Sequence, residues 1–254
     1  MSAFESATPP SGPLSEPSLS PIQRAAAVFT RPASAWTGLR HQAQWWFPML
    51  VLVTISVAGS LAVYHRAVVP MQMEQMDEQV ANGQMTREQA DRAESFMSGG
   101  LGVGIAAASQ LIVLPIVYFL AGAIVWFGVG FVLGDQEFKY RHGLEVVCWS
   151  GLVSVPATLL TTAMAWSRET MKGIHLGFGV LLPDMDPPSK LHTALGVVLD
   201  SLGPLSIWYL VVGILGASAL SRAPRKSVGL VVGVLYFAIT LFGAGMAALF
   251  TPGS

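Results

Sequence analysis

Charge is scarce in this chain. Aspartate, glutamate, lysine and arginine make up 11% of its 254 residues, where a soluble globular domain carries about a quarter. The few charges nearly cancel, with 14 basic against 15 acidic and a formal net charge of −1. No global basic field is present to hold nucleic acid, and no acidic tail. Cysteine is rarer still. Cys148 stands alone, which excludes an intramolecular disulfide framework and a cysteine metal cage. It lies inside an apolar run and reads as a small buried apolar residue. Catalytic signatures are missing too: there is no Walker A lysine motif, H-E-x-x-H, G-x-S-x-G or EF-hand loop. Gly128-x-Gly130-x-x-x-Gly134 is one residue too long for a dinucleotide fingerprint, and His41, His65, His142, His175 and His192 are scattered without ligand spacing. The sequence therefore implies no enzyme, cofactor or metal. Residues 1–20 have neither the basic start nor the apolar stretch of a cleavable signal. Rich in Ser and Pro, they are expected to form a disordered cytoplasmic tail, which leaves the first apolar run to serve as an uncleaved anchor.

What the chain does have is apolar length. Hydrophobic residues make up 52% of it and its mean hydropathy is +0.56. Five apolar runs, at 45–64, 101–133, 144–166, 202–220 and 228–250, are separated by short polar breaks. A helix needs about 20 such residues to cross a hydrocarbon core. The expectation is an all-α polytopic membrane helix bundle with five transmembrane helices, N-terminal amphipathic interfacial helices and a small helical outer loop. The domains are then a tail at 1–20, interfacial helices at 21–44 and a membrane domain at 45–250. The second run is long, but two crossings would need at least about 34 residues before any turn. One helix is expected, tilted, protruding or bent at Pro115. Its glycines, Gly122, Gly128, Gly130 and Gly134, suit close helix contact.

Orientation follows from lysine and arginine near the span ends. The last loop, 221–227 (SRAPRKS), holds three basic residues in seven, which marks it as cytoplasmic. An odd number of spans then gives a cytoplasmic N-terminus and a periplasmic C-terminus, in a bacterial inner (plasma) membrane.

Three stretches outside the spans have character. In 21–48, Val28, Phe29, Trp36 and Leu39 interleave with Arg24, Arg31 and Arg40, and Pro32 should start a second short helix. Phe29 and Trp36 are predicted to lie on the cytoplasmic leaflet, with Trp45 and Trp46 as an aromatic belt at the first span. In 71–97, Met, Gln, Glu and Ala favour a soluble helix-turn-helix. Asn82-Gly83 is its break, and Thr86 with Gln89 has the form of a capping box. In 167–201, an interfacial helix is expected from Lys190 to Leu199, and Asp184 and Asp186 form an exposed turn between prolines. Polar residues at membrane depth point to function. Gln110 in span two and Thr158, Thr161 and Thr162 in span three are candidates for a polar cavity between those spans.

The order of these features resembles a known family. Val28-Phe29-Thr30-Arg31-Pro32 followed by Trp36, Leu39 and Trp45 to Pro48 is similar to the start of prokaryotic Yip1-domain proteins. FKYRHGLEVVCWSGLVSVP, from Phe138 to Pro156, looks like that family's third-span segment. LDSLGPLSIWYLVVGILGASALSRAPRK, with Ile207-Trp208, looks like its fourth span and basic turn. The resemblance covers about residues 22–249. It implies five spans, a cytoplasmic N-terminus and no catalytic residues. Eukaryotic relatives are associated with Rab GTPases and vesicle traffic, a role this short tail does not support. The expected function is that of a non-enzymatic integral membrane protein that organises or accompanies other membrane or envelope-transport components. Its partners are the lipid bilayer and other membrane proteins or an envelope transporter, with no nucleic acid. The rival is a small-solute or lipid transporter. A polar cavity between spans two and three would favour transport, and a bundle sealed by small residues would favour the organiser.

Overall fold

The computed structural model describes residues 19–183, 185 and 189–251. The N-terminal tail to residue 18 and the Asp184 and Asp186 turn lie outside them. Among the described residues every regular element is helical.

The chain opens with α1 (Pro21–Thr30). Ser20 caps it by accepting from the Gln23 backbone while Gln23 reaches back to the Ser20 N–H, and Pro21 supplies a preset φ at the first turn. Pro32 disfavours helical backbone at Arg31, so α1 stops there, and a 3₁₀ turn follows at Ser34–Trp36. Helix α2 (Trp46–Val63) passes through a π-turn at Tyr64–Val68 into α3 (Val69–Ala81), a continuous rod of 36 residues. The first arm of the outer hairpin is thus the extension of span one. Its second arm, α4 (Arg87–Ser98), begins at the predicted Thr86–Gln89 capping box. Gly83, at φ +70°, makes the turn. Thr86→Ala removes the acceptor for the Gln89 N–H and should cost about 1 kcal/mol. Hydrogen exchange confined to the first turn of α4 would show it.

Span two is one helix, as expected. Helix α5 (Gly100–Trp126) runs through Pro115 and relaxes only at a π-turn, Phe127–Val132. Span three is α6 (Tyr140–Gly151) and α7 (Val155–Arg168), joined by a 3₁₀ turn at Leu152–Ser154 where Pro156 offers no N–H to the preceding turn. Then come α8 (Lys190–Asp200), α9 (Pro204–Leu220) and α10 (Arg225–Phe250).

Among the described residues four helical stretches are long and apolar enough to cross a membrane, and a fifth crossing exists if α8 and α9, bent by 55°, count as one span. The sequence predicted a span at 202–220 with an interfacial helix from Lys190 to Leu199 leading into it. Helices α9 and α8 occupy those stretches, and both pack along α10. Tyr236 of α10 donates to the Ser201 carbonyl at the bend (2.6 Å), and Thr251 at its far end bonds Thr193 of α8 (3.1 Å).

Helix α6 sits at the centre, buried from His142 to Gly151. Helices α1, α2, α5 and α9 wrap it. Close approach comes from small residues. A Cβ on Gly143 would strike the Gly122 carbonyl oxygen, and one on Gly128 would meet Val231 and Leu235 of α10. Gly134 differs from its neighbours: at φ +72° with open space around it, it makes the turn after span two rather than a helix contact.

Three segments share one end of the bundle. Glu137 bridges Arg40 (3.3 Å) and Arg222 (2.7 Å), and the Arg222 backbone donates to Asp135. At the opposite end Arg66 pairs with Glu169 (2.6 Å) and Lys172 with Glu74 (3.0 Å). The N-terminal segment, the turn between spans two and three, and the basic loop therefore lie together, away from the hairpin.

Candidate functional site

The four residues proposed for a polar cavity line one. A cavity of about 650 Å³ is bounded by Gln110, Thr158, Thr161 and Thr162, and it takes a third wall from Gly59 and Ser60 of span one. The sequence placed the cavity between spans two and three. Span one was missed because its small polar residues lack any signal of their own in an apolar run. Tyr64, Gln72, Phe96 and Met171 complete the outer part, so the hairpin roofs it. Ser56 donates to the Gln110 side-chain oxygen (3.2 Å). Thr158 and Thr162 donate to the carbonyls of Ser154 (3.1 Å) and Thr158 (2.8 Å) in their own helix, the usual way such hydroxyls are satisfied inside an apolar run.

Below Ser154 the helices close. Gly151 lies where a Cβ would meet the Tyr118 hydroxyl (2.7 Å) and Leu52 (3.0 Å). About two turns further along α6 comes the Gly122–Gly143 crossing. The cavity is blind at this end.

The N-terminal segment departs from expectation. Trp36 is only 3% exposed, and its ring fills the space above Gly216 of α9. Val28 and Leu39 are fully buried in the same core. The predicted bilayer anchor at Trp36 is therefore a packing residue. The segment docks on protein rather than lying free on lipid, because the Trp36 ring finds the gap over Gly216 on α9. Phe29 (42%) and Trp46 (53%) do remain exposed, while Trp45 is half-buried, edge-on to Phe119.

Under that docked segment is a buried polar cluster. Arg24 is fully buried. Its guanidinium donates to the Ala35 carbonyl and to the Gln44 side chain (3.1 Å), and lies 5.6 Å from the Trp149 ring centre. Burial pulls its pKa below the ordinary value and the nearby Glu145 carboxylate opposes that shift. Glu145, fully buried on α6, accepts from the Gln44 backbone (2.6 Å) and the Trp149 indole (3.0 Å). In the sequence Arg24 stands out only as one of three arginines interleaved with the apolar residues of this segment. The available signal was its spacing: Arg24, Ala27 and Val28 stand at i, i+3 and i+4, one helix face.

A second pair, His175 with Asp200 (2.8 Å), sits at the bend between α8 and α9, where Asp200 also accepts from the Gly177 N–H (3.2 Å). Twenty-five residues of separation hid it from the sequence. It caps a broken helix rather than forming a reactive set, and among the described residues no cluster of three metal-ligating side chains occurs.

No curated protein and no solved structure matches the chain significantly. One family model does match: the Yip1 domain, over residues 26–247. That stretch runs from the docked N-terminal segment through all the apolar spans, and the chain belongs to the Yip1-domain family of membrane proteins.

Proposed function

We propose that the protein acts by binding and not by catalysis, as an integral membrane organiser that accompanies other membrane or envelope-transport components. One observation supports this most: the sealed half of the bundle. Gly122 on Gly143 and Tyr118 on Gly151 close the helices together, and the buried carboxylate of Glu145 already has two donors. That half offers neither a polar path nor a nucleophile–base pair. What remains to act is surface. Extracted in mild detergent, the protein is expected to run as a stoichiometric assembly with another integral membrane protein, held through the end that carries Arg40, Glu137 and Arg222. A lone chain, both in native extracts and after crosslinking in membranes, overturns the reading.

The cavity supports a second reading, uptake of a small solute or lipid. Gln110, Thr158, Thr161 and Thr162 do meet around one space, although its blind end supplies half a path.

For location we propose the bacterial inner membrane, with the N-terminus cytoplasmic and the C-terminus outside. The end holding Arg31, Arg40, Lys139, Arg141, Arg222 and Lys226 is the more basic, which favours the cytoplasmic side. A phosphatase reporter fused after residue 254 is expected to be active, as only export allows. Activity of a cytoplasmic reporter there instead breaks the five-span count.

A further inference from the structure

The cavity's lining has a donor and acceptor balance of its own. Among the described residues no charged side chain lines it. A charged ligand would leave water without a counter-charge, at a cost of several kcal/mol, so the occupant is neutral. The hydroxyl hydrogens of Ser109, Thr158 and Thr162 are already donated to carbonyls of their own helices. Their oxygens face a ligand as acceptors. The Gln110 carbonyl oxygen is taken by Ser56. Among the described residues its amide nitrogen has no hydrogen-bond partner, so it remains as a donor. Ser60, Thr161 and Gln72 line the cavity as well, so it offers accepting oxygens to a ligand hydroxyl, and hydroxyl and amide donors, Gln110 among them, to a ligand carbonyl.

Position and shape narrow the class further. These groups lie within the apolar runs of spans one, two and three, while Ile105 and Ser109 on α5 and Ser154 on span three are exposed on the bundle surface. A ligand would therefore reach the site from the bilayer, with its polar part inside. The cavity volume, about 650 Å³, falls in the range of about 300–1,000 Å³ typical of small-ligand sites. Outward of the hydroxyls the wall is mixed, with Val63, Val68, Phe96 and Met171 beside Tyr64 and Gln72.

We propose that this cavity binds an uncharged glycerolipid of the diacylglycerol type, its free hydroxyl against the serine and threonine oxygens and an ester carbonyl on Gln110. The proposal rests on the second reading above and deepens it by naming the ligand.

The test uses the full chain in phosphatidylcholine nanodiscs with a photoreactive diacylglycerol. Labelling is expected on peptides from α5 and α7 and is competed by unlabelled diacylglycerol. Gln110→Leu removes the amide donor and should weaken labelling about tenfold, the worth of one buried hydrogen bond. Ala106→Trp fills the space and should abolish it. A photoreactive phosphatidic acid that labels the same peptides equally well overturns the neutral class. Labelling spread over the lipid-facing surface that survives Ala106→Trp overturns the site. A second arm separates this failure from that of the underlying reading. If diacylglycerol does not label but a Thr161→Cys thiol reacts with a small water-soluble reagent, the ligand class falls and a solute cavity stands. If neither happens, both fall. Cys148, fully buried, is a silent background for that arm.

Discussion

A Glu145→Ala protein should lose its grip on the N-terminal segment while keeping its spans. The carboxylate receives the Gln44 N–H at 2.6 Å and the Trp149 N–H at 3.0 Å, and it is the neighbouring counter-charge of the buried Arg24. Truncation leaves the buried Trp149 indole and the half-buried Gln44 N–H without their acceptor. An orphaned buried donor costs about 1–3 kcal/mol. Opposing release are Val28, Trp36 and Leu39, each worth about 1.5–3 kcal/mol in burial. The lost contacts take back a large share of that burial, so the released state should come closer in free energy. The readout is trypsin cleavage at Arg24, fully buried when docked. Every 1.4 kcal/mol of lost docking multiplies cleavage about tenfold, so an increase of a hundredfold or more is expected. Glu145→Gln keeps an acceptor and should fall between. Hydrogen exchange in the outer hairpin should not move, which separates undocking from collapse. Cleavage at Arg24 as slow as in the native protein would show that the cluster is not what holds the segment.

The contrast between that cluster and the cavity shows what a one-dimensional reading can see. Helix existence was legible because apolar length is a local property; α5 and α10 follow their runs to within a few residues. The Thr86 cap was legible because a capping box is written in four consecutive residues. Gln110 and the three threonines were legible as odd polar residues in apolar surroundings. Which walls would enclose them was not, since Gly59 and Ser60 owe their place to how α2 crosses α7: a Cβ on Gly59 would come within 2.8 Å of the Thr162 hydroxyl. The N-terminal segment failed differently. Its aromatics and arginines fit an interfacial helix by composition, but only the tertiary fold shows that Gly216 leaves a slot for the Trp36 ring. Once that slot exists, Arg24 on the same side is carried inward and needs Gln44 and the Ala35 carbonyl to be tolerated there. The bend at Asp200 also depends on distant partners, Tyr236 and Gly177.

The largest packing effect should come from Gly143. A Cβ there would overlap the Gly122 carbonyl oxygen and lie 3.1 Å from the Trp126 nitrogen. Both are backbone atoms of span two, so no rotamer change can relieve the clash. A Cβ on Gly122 in turn would sit 2.7 Å from Leu144. The two glycines form one crossing, and spans two and three must move apart if either grows. Glycine to alanine inside a helix gains up to about 1 kcal/mol from backbone entropy, and overpacking costs about 1–3 kcal/mol, occasionally more. Gly143→Ala should therefore end in net loss, and Gly143→Val, with two more carbons against the same backbone, should give little folded protein. Gly104→Ala on the same span two and Gly243→Ala on α10 meet nothing within 4 Å and should show the entropy gain alone. Thermal unfolding midpoints of the four variants in one detergent decide it. Equal midpoints for Gly143→Ala and Gly104→Ala would mean that the crossing is loose. The seal beneath the cavity would then be loose too, and the half-path would become a path, shifting the weight from organiser to transporter.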